Sequence, residues 1–445
     1  MYSDAVQRAI DSAGAKPGDK VRLTKGAKVF EGILLPRPDV GDADCIVLKL
    51  PNGYNVGIEF RGAKLERLAE GAKLGQFPFR KVKPNPKLPS ISFISTGGTI
   101  AARLDYATGG VRSGTAMTPE EMFFAVPELA ETANISNVRQ LSHMASEDMG
   151  YKDWQGMAEA AAHELNSGVE GVVVTHGTDT MHYSTAAVSF MLPGLTKPVV
   201  FVGAQRSSDR GSSDAFMNYV CSASVAAKGD FAEVGLCMHA ESSDSHCFFM
   251  KGTKVRKLHT SRRDAFRPVN CKPIARVFPD GRIEPAGAPY RKRSTGNVVA
   301  ETKFEPKVAL VKAYPGSLPD LIDFYVSRGF KGIVIEGTGL GHVPTQTPDG
   351  KNSWIPHVAD AAKKGTVVAV ASQCIYGRTS SLVYRNLRLL SDAGAVHCED
   401  MLPETAYVKL GWLLGNKSPE EAKRLMPVNL VGEISPRIRN DEFLV

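Results

Sequence analysis

The sequence predicts an α/β protein in which a small β-rich domain precedes two α/β domains with parallel sheets. Three observations support this prediction. Short β-rich runs fill the first part of the chain, strands alternate with helical patterns from residue 90 onward, and the alternation resumes near residue 305. Alternation of strand and helix is typical of crossover units and parallel sheets. The 445 residues are also enough for about three domains.

The first predicted domain covers residues 1–85. Between two of its strands, Pro51-Asn52-Gly53 predicts a tight hairpin because an Asn-Gly pair accepts the positive φ of a primed turn. A run rich in proline and lysine over 81–89 stiffens the chain and marks the end of the domain. We expect a small β-barrel or a curled sheet of SH3-like size. Its predicted strands are Asp19–Leu23, Val29–Leu35, Cys45–Leu50 and Tyr54–Phe60.

The second and third predicted domains cover residues 90–295 and 305–445, and a polar, glycine-containing stretch separates them. Residues 168–178 and 329–339 share a layout in which glycines flank an apolar strand, which indicates two similar α/β halves without establishing a repeat. The predicted strands are Ser92–Ser95, Gly171–Thr175, Val199–Val202, Val308–Lys312 and Gly332–Ile335. The predicted helices are Pro119–Ala125, Tyr151–Asn166, Ser184–Leu192 and Leu318–Arg328.

Composition excludes several classes of protein. A hydrophobic content of 43% with 23% charged residues is ordinary for a globular protein. No stretch approaches the roughly 20 apolar residues that span a bilayer. The first 13 residues form an amphipathic segment that includes Asp4, Arg8 and Asp11 and lacks the layout of a secretory signal. We therefore expect the protein to stay in the cytoplasm.

Cysteines and net charge bear on metal and nucleic-acid binding. The seven cysteines are scattered and never form a CxxC pair, which argues against a disulfide framework and a zinc site and favours reduced, mostly buried thiols. The net charge of +7 is mild for this length. It fits either contact with a nucleic acid or an ordinary solvated surface.

Two threonine motifs are the most informative feature of the chain. The first is Thr96-Gly97-Gly98-Thr99 and the second runs from Thr175 to Thr180 with the sequence Thr-His-Gly-Thr-Asp-Thr. Each follows an apolar, β-branched run and precedes a helical pattern. We therefore expect the threonine hydroxyls of both motifs at the carboxyl ends of parallel strands, where open α/β sheets bind their ligands. The motifs suggest covalent chemistry on a small substrate.

The glycine-rich turn favours acyl transfer over phosphate binding. It has neither the Lys-Ser/Thr ending of a phosphate loop nor GxGxxG spacing. Its glycines allow close approach of the backbone and leave main-chain N–H groups free to face a developing oxyanion. Thr96 could then attack a carbonyl carbon if a base removes its proton. The candidate bases are Lys251, Lys254 and Lys257.

Other polar residues have structural interpretations. His176 and His182 lack metal-ligand spacing and a third partner. Thr99 and Thr180 are more typical of helix caps or turns, and Asp148 fits loop structure and substrate contact equally. The β-rich domain shows few aromatic residues for base stacking, so we favour a docking role for it. A basic cluster either faces RNA or a partner or is ordinary surface, and it comprises Arg256, Lys257, Arg262, Arg263 and Arg267.

Four segments together resemble, in order and spacing, the bacterial-type L-asparaginase family. The resemblance covers roughly residues 90–440 and implies two asparaginase-like α/β domains. With the β-rich domain in front, the whole chain resembles the D subunits of archaeal glutamyl-tRNA(Gln) amidotransferases. The four segments are Thr96–Ile100, Ser146–Met149, His176–Thr180 and Lys257–Ser261.

The resemblance implies a role for each matching residue. Thr96 would be the nucleophile, and Thr178 the second catalytic hydroxyl, from which Lys257 takes the proton. Asp179 would bind the α-amino group of the substrate and help to organise the base. Tyr106 is a candidate for the family's catalytic tyrosine, although its spacing differs. The implied substrate-binding residues are Ser146, Glu147, Gly97 and Gly177.

The resemblance also implies a function. The chain would hydrolyse glutamine through a γ-glutamyl ester, and a tRNA-binding kinase and transferase, the E subunit of the amidotransferase, would use the ammonia to convert Glu-tRNA(Gln) to Gln-tRNA(Gln). ATP and magnesium would act in that partner, with no cofactor or metal in this chain. A homodimer within a heterotetramer is expected. The alternatives are a free-standing L-asparaginase or glutaminase with an appended domain, and a catalytically silent scaffold.

Overall fold

The computed structural model describes residues 2–35, 42–50, 55–71, 85–97, 103–104, 111–112, 126, 128–206, 212–348 and 350–443. An antiparallel sheet near the N-terminus precedes two sheets with parallel strands, which confirms the predicted fold class. Among the helices in these ranges, none is both long and apolar enough to cross a membrane.

The N-terminal sheet has five antiparallel strands in the order β4-β3-β2-β1-β5. Helix α1 (Asp4–Ser12) packs on it through Val6 and Ile10, and the Ser3 hydroxyl accepts a hydrogen bond from the first turn of the helix. The predicted turn over 51–54 lies outside the described residues, but the strands that it joins pair antiparallel. The strands are β1 (Lys20–Lys25), β2 (Lys28–Leu34), β3 (Cys45–Lys49), β4 (Asn55–Glu59) and β5 (Ala63–Ala69).

The sequence-based prediction missed α1 as an element of this domain and missed β5 altogether. The β5 sequence, Ala-Lys-Leu-Glu-Arg-Leu-Ala, is rich in residues that favour helix when taken alone. Its strand conformation comes from pairing with β1, where Leu65 lies opposite Leu23 and both side chains enter the core. Tertiary pairing therefore overrides local propensity here.

The central domain contains an eight-stranded sheet in the order β17-β16-β13-β12-β11-β10-β6-β9. Strands β12, β11, β10, β6 and β9 are parallel, and the others extend the sheet antiparallel. Two separate two-stranded sheets, β7-β8 and β14-β15, lie outside the eight-stranded sheet. The strands of the domain are β6 (Ser90–Ser95), β7 (Arg103–Leu104), β8 (Val111–Arg112), β9 (Asn134–Gln140), β10 (Gly171–Thr175), β11 (Val199–Val202), β12 (Val234–His239), β13 (Cys247–Lys251), β14 (Val255–Lys257), β15 (Phe266–Pro268), β16 (Ala275–Val277) and β17 (Ile283–Pro285).

Helices cover both faces of this sheet. The described helices are α2 (Leu129–Thr132), α3 (Tyr151–Asn166), α4 (Met181–Met191) and α5 (Ala215–Lys228). Helices α3 and α4 pack on one face, and α5 packs on the other. The predictions for α3, β10 and β11 are confirmed, whereas α4 begins three residues before the predicted Ser184. The helix predicted over 119–125 lies outside the described residues.

Close contact between α5 and the sheet depends on Gly171. A Cβ at this residue would lie 2.3 Å from the carbonyl oxygen of Ala226 and 2.8 Å from its Cα, both backbone atoms of α5. We therefore expect Gly171→Ala to lower the free energy of unfolding by about 1–3 kcal/mol. Chemical denaturation measures this. The control is Gly156→Ala in α3, where a Cβ meets nothing within 4 Å and the substitution is expected to stabilise the helix.

The C-terminal domain is a parallel sheet in the order β18-β19-β20-β21 with helices around it. Helix α9 lies against the central domain, where the Trp412 ring stacks on Phe190 of α4 at 5.9 Å. The two domains thus share one apolar core. The strands are β18 (Val308–Lys312), β19 (Gly332–Gly337), β20 (Val367–Ser372) and β21 (Val396–His397). The helices are α6 (Asp320–Ser327), α7 (Trp354–Lys363), α8 (Arg385–Asp392), α9 (Pro403–Asn416) and α10 (Pro419–Leu425).

Candidate active site

The two threonine motifs begin side by side at one edge of the central sheet. Strands β6 and β10 are parallel neighbours, and their last residues, Ser95 and Thr175, are partners in the register. Thr96 is therefore the first residue beyond its strand, and Thr178 lies three residues beyond the end of the adjacent strand. The predicted location at the carboxyl ends of parallel strands is confirmed.

Backbone and side-chain hydrogen bonds fix Thr96. Its side chain is fully buried, and both its Oγ1 hydroxyl and its backbone N–H donate to the carbonyl oxygen of Thr175, at 2.9 and 3.1 Å. The Ser142 hydroxyl donates to the Thr96 carbonyl oxygen at 3.1 Å. Gly97 has a φ of 101°, and a Cβ there would lie 2.9 Å from the Met144 carbonyl oxygen. The absence of a side chain at Gly97 therefore permits close packing against residues 143–144.

Lys257 joins the second motif through its ammonium group. Its Nζ donates to Thr178 Oγ1 at 2.9 Å and to Asp179 Oδ1 at 2.9 Å. The Lys257 side chain is 10% exposed, whereas that of Asp179 is 67% exposed. The lysine end of the contact is therefore enclosed, and the Asp179 carboxylate is exposed to solvent, where a substrate amine could bind it.

The other candidate bases bind different partners. Lys251 pairs with Glu233 at 3.3 Å, and Lys254 pairs with Asp400 at 2.6 Å. Lys257 lies on the two-stranded ribbon of β14 and β15, opposite the fully buried Phe266. Of the three lysines, only Lys257 has a hydrogen bond to the second threonine motif among those found in the described residues. This contact is consistent with the resemblance, which implies Lys257 as the base.

Ser146 borders the second motif from a short turn of 3-10 helix over Ser146–Asp148. It is 2% exposed, and a Cβ added to Gly177 would lie 2.8 Å from the Ser146 Cβ and 2.9 Å from its Oγ. The Thr180 hydroxyl donates to the Ser146 carbonyl oxygen at 2.6 Å. The structural role predicted for Thr180 is therefore confirmed, although its hydroxyl fixes the turn rather than capping α4. The side chain of Glu147 is exposed beside it.

Known families match almost the whole chain. Residues 90–289 match the model for the asparaginase N-terminal domain, and residues 307–426 match the glutaminase/asparaginase C-terminal domain. Residues 15–68 match the GatD N-terminal domain. The D subunit of the glutamyl-tRNA(Gln) amidotransferase of Pyrococcus furiosus is 50% identical, over 99% of this chain and 100% of that protein. The D subunit from Methanothermobacter thermautotrophicus is 45% identical, over 98% of both chains.

The chain belongs to the family of glutamyl-tRNA(Gln) amidotransferase D subunits. Solved structures agree for the two larger domains. The thermostable L-asparaginase from Thermococcus kodakarensis aligns with a TM-score of 0.68 at 26% identity. The alignment covers 78% of this chain and 100% of the asparaginase chain. L-asparaginase I from Vibrio cholerae has a TM-score of 0.67 at 28% identity and covers 78% of this chain and 99% of its own.

In this member of the D-subunit family, one buried histidine, His176, belongs to the second motif, and another, His182, lies on α4 directly after it. Burial lowers the pKa of His176 to about 4, and the hydrogen bond from its Nδ1 to the Gly177 carbonyl oxygen, 2.6 Å long, opposes that effect only in part. Burial, followed by the charges of Arg256 and Lys257, lowers the pKa of His182 to about 3. Both rings are therefore neutral near pH 7. In the described parts of the chain, no group of three or more His, Cys, Asp and Glu residues is arranged to bind a metal.

His176 makes the stability of the protein depend on pH. Its pKa is about 4 in the folded protein and 6.5 in the unfolded chain, so the unfolded chain binds more protons between these values. Above pH 6.5 this titration does not reduce the free energy of unfolding. As the pH falls towards 4, it lowers the free energy of unfolding by about 3 kcal/mol. His176→Asn keeps a donor for the Gly177 carbonyl and removes the titration. Denaturation across this pH range should show a smaller acid loss in the variant, and equal losses would contradict the assignment.

Two residues singled out in the sequence, Tyr106 and Thr99, are outside the described residues.

Each member of the predicted basic cluster has an acidic partner. These ion pairs favour the interpretation of the cluster as ordinary protein surface and as part of the candidate site. The pairs are Arg256–Glu404, Lys257–Asp179, Arg262–Asp264, Arg263–Asp244 and Arg267–Asp264. Five of the seven cysteines are buried, which agrees with the prediction of mostly buried thiols.

Sequence reasoning missed Asp214, which shapes the loop that follows β11. Its buried carboxylate accepts hydrogen bonds from the backbone N–H groups of Gln205 and Arg206, at 3.0–3.1 Å, and from Asn218 Nδ2 at 3.0 Å. In the same loop, a Cβ on Gly203 would lie 2.8 Å from Thr178 Cγ2. An aspartate directly before an apolar helical run was the available signal.

Proposed function

We propose that this chain is the glutaminase component of a tRNA-dependent amidotransferase. It hydrolyses glutamine, and a partner subunit uses the ammonia to convert Glu-tRNA(Gln) to Gln-tRNA(Gln). The contact of Lys257 with Thr178 and Asp179, at the same sheet edge as Thr96, is the observation that carries the proposal. The names of the full-length relatives support the tRNA-dependent reaction over a free-standing activity.

The proposed reaction has two covalent steps. Thr96 Oγ1 attacks the side-chain carbonyl carbon of glutamine, its proton passes to a base, and the C–N bond breaks as the nitrogen gains a proton and leaves as ammonia. Water then attacks the γ-glutamyl ester, which releases glutamate and restores the hydroxyl. Because Thr96 donates to the Thr175 carbonyl in this structure, the hydroxyl must leave that hydrogen bond before it attacks.

The remaining site residues supply proton transfer and substrate binding in this proposal. Lys257 accepts a proton from Thr178 as the neutral amine, so the ammonium group, which donates to Thr178 Oγ1 at 2.9 Å in this structure, must first lose a proton to solvent. Asp179 binds the α-amino group, Ser146 binds the α-carboxylate, and Glu147 lies next to Ser146 in the substrate-binding segment. Gly97 and Gly177 let the backbone approach the substrate, and N–H groups of the glycine-rich turn face the developing oxyanion. Tyr106 is proposed as the tyrosine that assists the attack.

The assembly is part of the proposal. A tRNA-binding partner with kinase and transferase activity, the E subunit, would use ATP and magnesium, while this chain needs no cofactor of its own. The N-terminal sheet would dock on that partner, and two copies of this chain would pair within a cytoplasmic heterotetramer. A free-standing amidohydrolase is the second candidate, because both larger domains match asparaginase family models and solved L-asparaginase structures are similar to the chain.

Activity with and without the partner separates the two candidates. We expect the purified chain to release ammonia from glutamine slowly, and the addition of the partner subunit with Glu-tRNA to raise kcat/KM at least ~10-fold, since a coupled enzyme gains catalytic power when its correct substrate assembles the site. Asparagine should be the poorer substrate. Full activity of the isolated chain, with asparagine preferred, would instead support the free-standing enzyme.

A further inference from the structure

The ribbon that carries Lys257 is bound to the C-terminal domain by ion pairs. Lys254 Nζ lies 2.6 Å from Asp400 Oδ2, and these side chains are 4% and 0% exposed. Two residues later, a guanidinium nitrogen of Arg256 lies 2.7 Å from Glu404 Oε1, with side-chain exposures of 29% and 5%. Both cations lie just before the proposed base in the chain.

The two acceptors belong to one short segment of the C-terminal domain. Asp400 lies shortly after β21, and Glu404 lies in the first turn of α9. Two further hydrogen bonds join the same segment to the residues around the ribbon. Thr405 Oγ1 donates to the Thr253 carbonyl oxygen at 3.0 Å, and Asn270 Nδ2 donates to the Asp400 carbonyl oxygen at 3.1 Å. Residues 400–405 thus bind the chain both before β14 and after β15.

Strand geometry links these contacts to the active site. Successive side chains of a strand point to opposite faces, so Arg256 and Lys257 leave β14 in opposite directions. Arg256 reaches the C-terminal domain, and Lys257 reaches Thr178. A contact that fixes Arg256 therefore also fixes the backbone from which the Lys257 side chain extends.

The charged form of Glu404 depends strongly on the ion pair with Arg256. Burial raises the pKa of Glu404, and the charge of Arg256 is the largest opposing influence. Its Oε2 atom is buried and has no hydrogen-bond partner within the described part of the chain. Removal of one member of such a pair leaves the other poorly compensated, which is costly in a buried site. The ribbon and α9 should therefore shift when either residue changes.

We propose that Glu404, acting through Arg256, is a positioning residue for Lys257, so that the C-terminal domain sets the geometry of the base in the central domain. The inference rests on the proposed function, in which Lys257 accepts the proton of Thr178. Asp400 and Lys254 support the same ribbon from its other end. The C-terminal domain thereby contributes to catalysis without contacting the substrate through these residues.

The test compares two ion pairs in each of which a buried glutamate binds a cation and one member lies on α9. Glu404→Gln removes the charge that binds Arg256. Its control, Glu433→Gln, removes the charge that binds Lys409 of α9 at 2.6 Å, where both side chains are fully buried. In the full chain with its partner subunit, we expect Glu404→Gln to lower kcat for glutamine by about 10- to 100-fold with little change in KM. Glu433→Gln should lower Tm and leave kcat near that of the wild type.

A second variant keeps the test decisive if Glu404→Gln fails to fold. Arg256→Lys retains the positive charge but loses the guanidinium geometry, and a smaller loss of kcat at unchanged KM is expected. The proposal is overturned if either variant lowers Tm as the control does and leaves kcat unchanged. If Lys257→Met is itself active, the assigned base is wrong. If Lys257→Met is inactive while the Glu404 and Arg256 variants remain fully active, only the positioning role is wrong.

Discussion

Replacement of Thr96 by alanine is expected to abolish ammonia release from glutamine, with a loss of at least ~1,000-fold in kcat. The substitution removes the only atom of this residue that can form the γ-glutamyl ester. Stability should fall by about 1–3 kcal/mol, because a buried hydrogen bond and a buried methyl group are lost. The Thr175 carbonyl oxygen keeps its hydrogen bond from the Thr96 backbone N–H at 3.1 Å. Ammonia release and thermal melting measure the two effects.

Thr132→Ala is the matched control for this variant. The Thr132 hydroxyl also donates to a backbone carbonyl, that of Glu128 at 3.0 Å, and it is largely buried on α2. Its loss should cost similar stability and leave hydrolysis unchanged. Hydrolysis at the wild-type rate in Thr96→Ala, with unaltered melting, would remove Thr96 from the mechanism.

Replacement of Lys257 by methionine is expected to lower kcat by about 100- to 10,000-fold, the usual range for loss of a general base. Methionine retains an unbranched apolar chain but cannot accept a proton or bind Thr178 and Asp179. Thr178→Ala should cause a comparable loss. If the two residues act as one unit, the double variant should be no slower than the slower single variant.

Lys197→Met controls for the loss of a partly buried lysine. Lys197 Nζ donates to the Val169 carbonyl oxygen at 2.8 Å at the amino-terminal end of β10, opposite the active-site edge. Steady-state hydrolysis of glutamine should be normal in this variant. Additive losses in the Lys257 and Thr178 double variant would contradict a shared proton-transfer unit, and normal activity of Lys257→Met would contradict its assignment as the base.

The location of the reacting hydroxyls was predictable because it depends on local patterns. An apolar β-branched run ends at each threonine motif, and parallel strands place their carboxyl ends at one edge. The choice of Lys257 over its two neighbours came from the resemblance of Lys257–Ser261 to a family motif, because the local pattern alone left three lysines open. The partners that occupy the other two lysines, Glu233 and Asp400, are distant in the chain and were not predictable.

Long-range contacts also explain what the sequence-based prediction missed. Glu404 gives no local sign of a relation to Lys257, and the ion pair with Arg256 exists only because α9 packs against the central domain. Similarly, β5 became a strand through its pairing with β1. The Asp214 carboxylate makes no cap hydrogen bond to the helix that it precedes and instead binds backbone N–H groups of the loop after β11. The hydrophobic periodicity of a sequence does not predict such contacts between residues distant in the chain.

Covalent labelling of the nucleophile tests the proposed reaction most directly. A diazoketone analogue of glutamine, which alkylates the attacking side chain, would be incubated with the complex, and the modified peptide would be mapped by mass spectrometry. We predict a single label on the Thr96 side chain, formed in the wild type and in Glu433→Gln, and absent from Thr96→Ala. A label on Thr178 with Thr96 unmodified, accompanied by loss of activity, would contradict the assignment of Thr96 as the nucleophile.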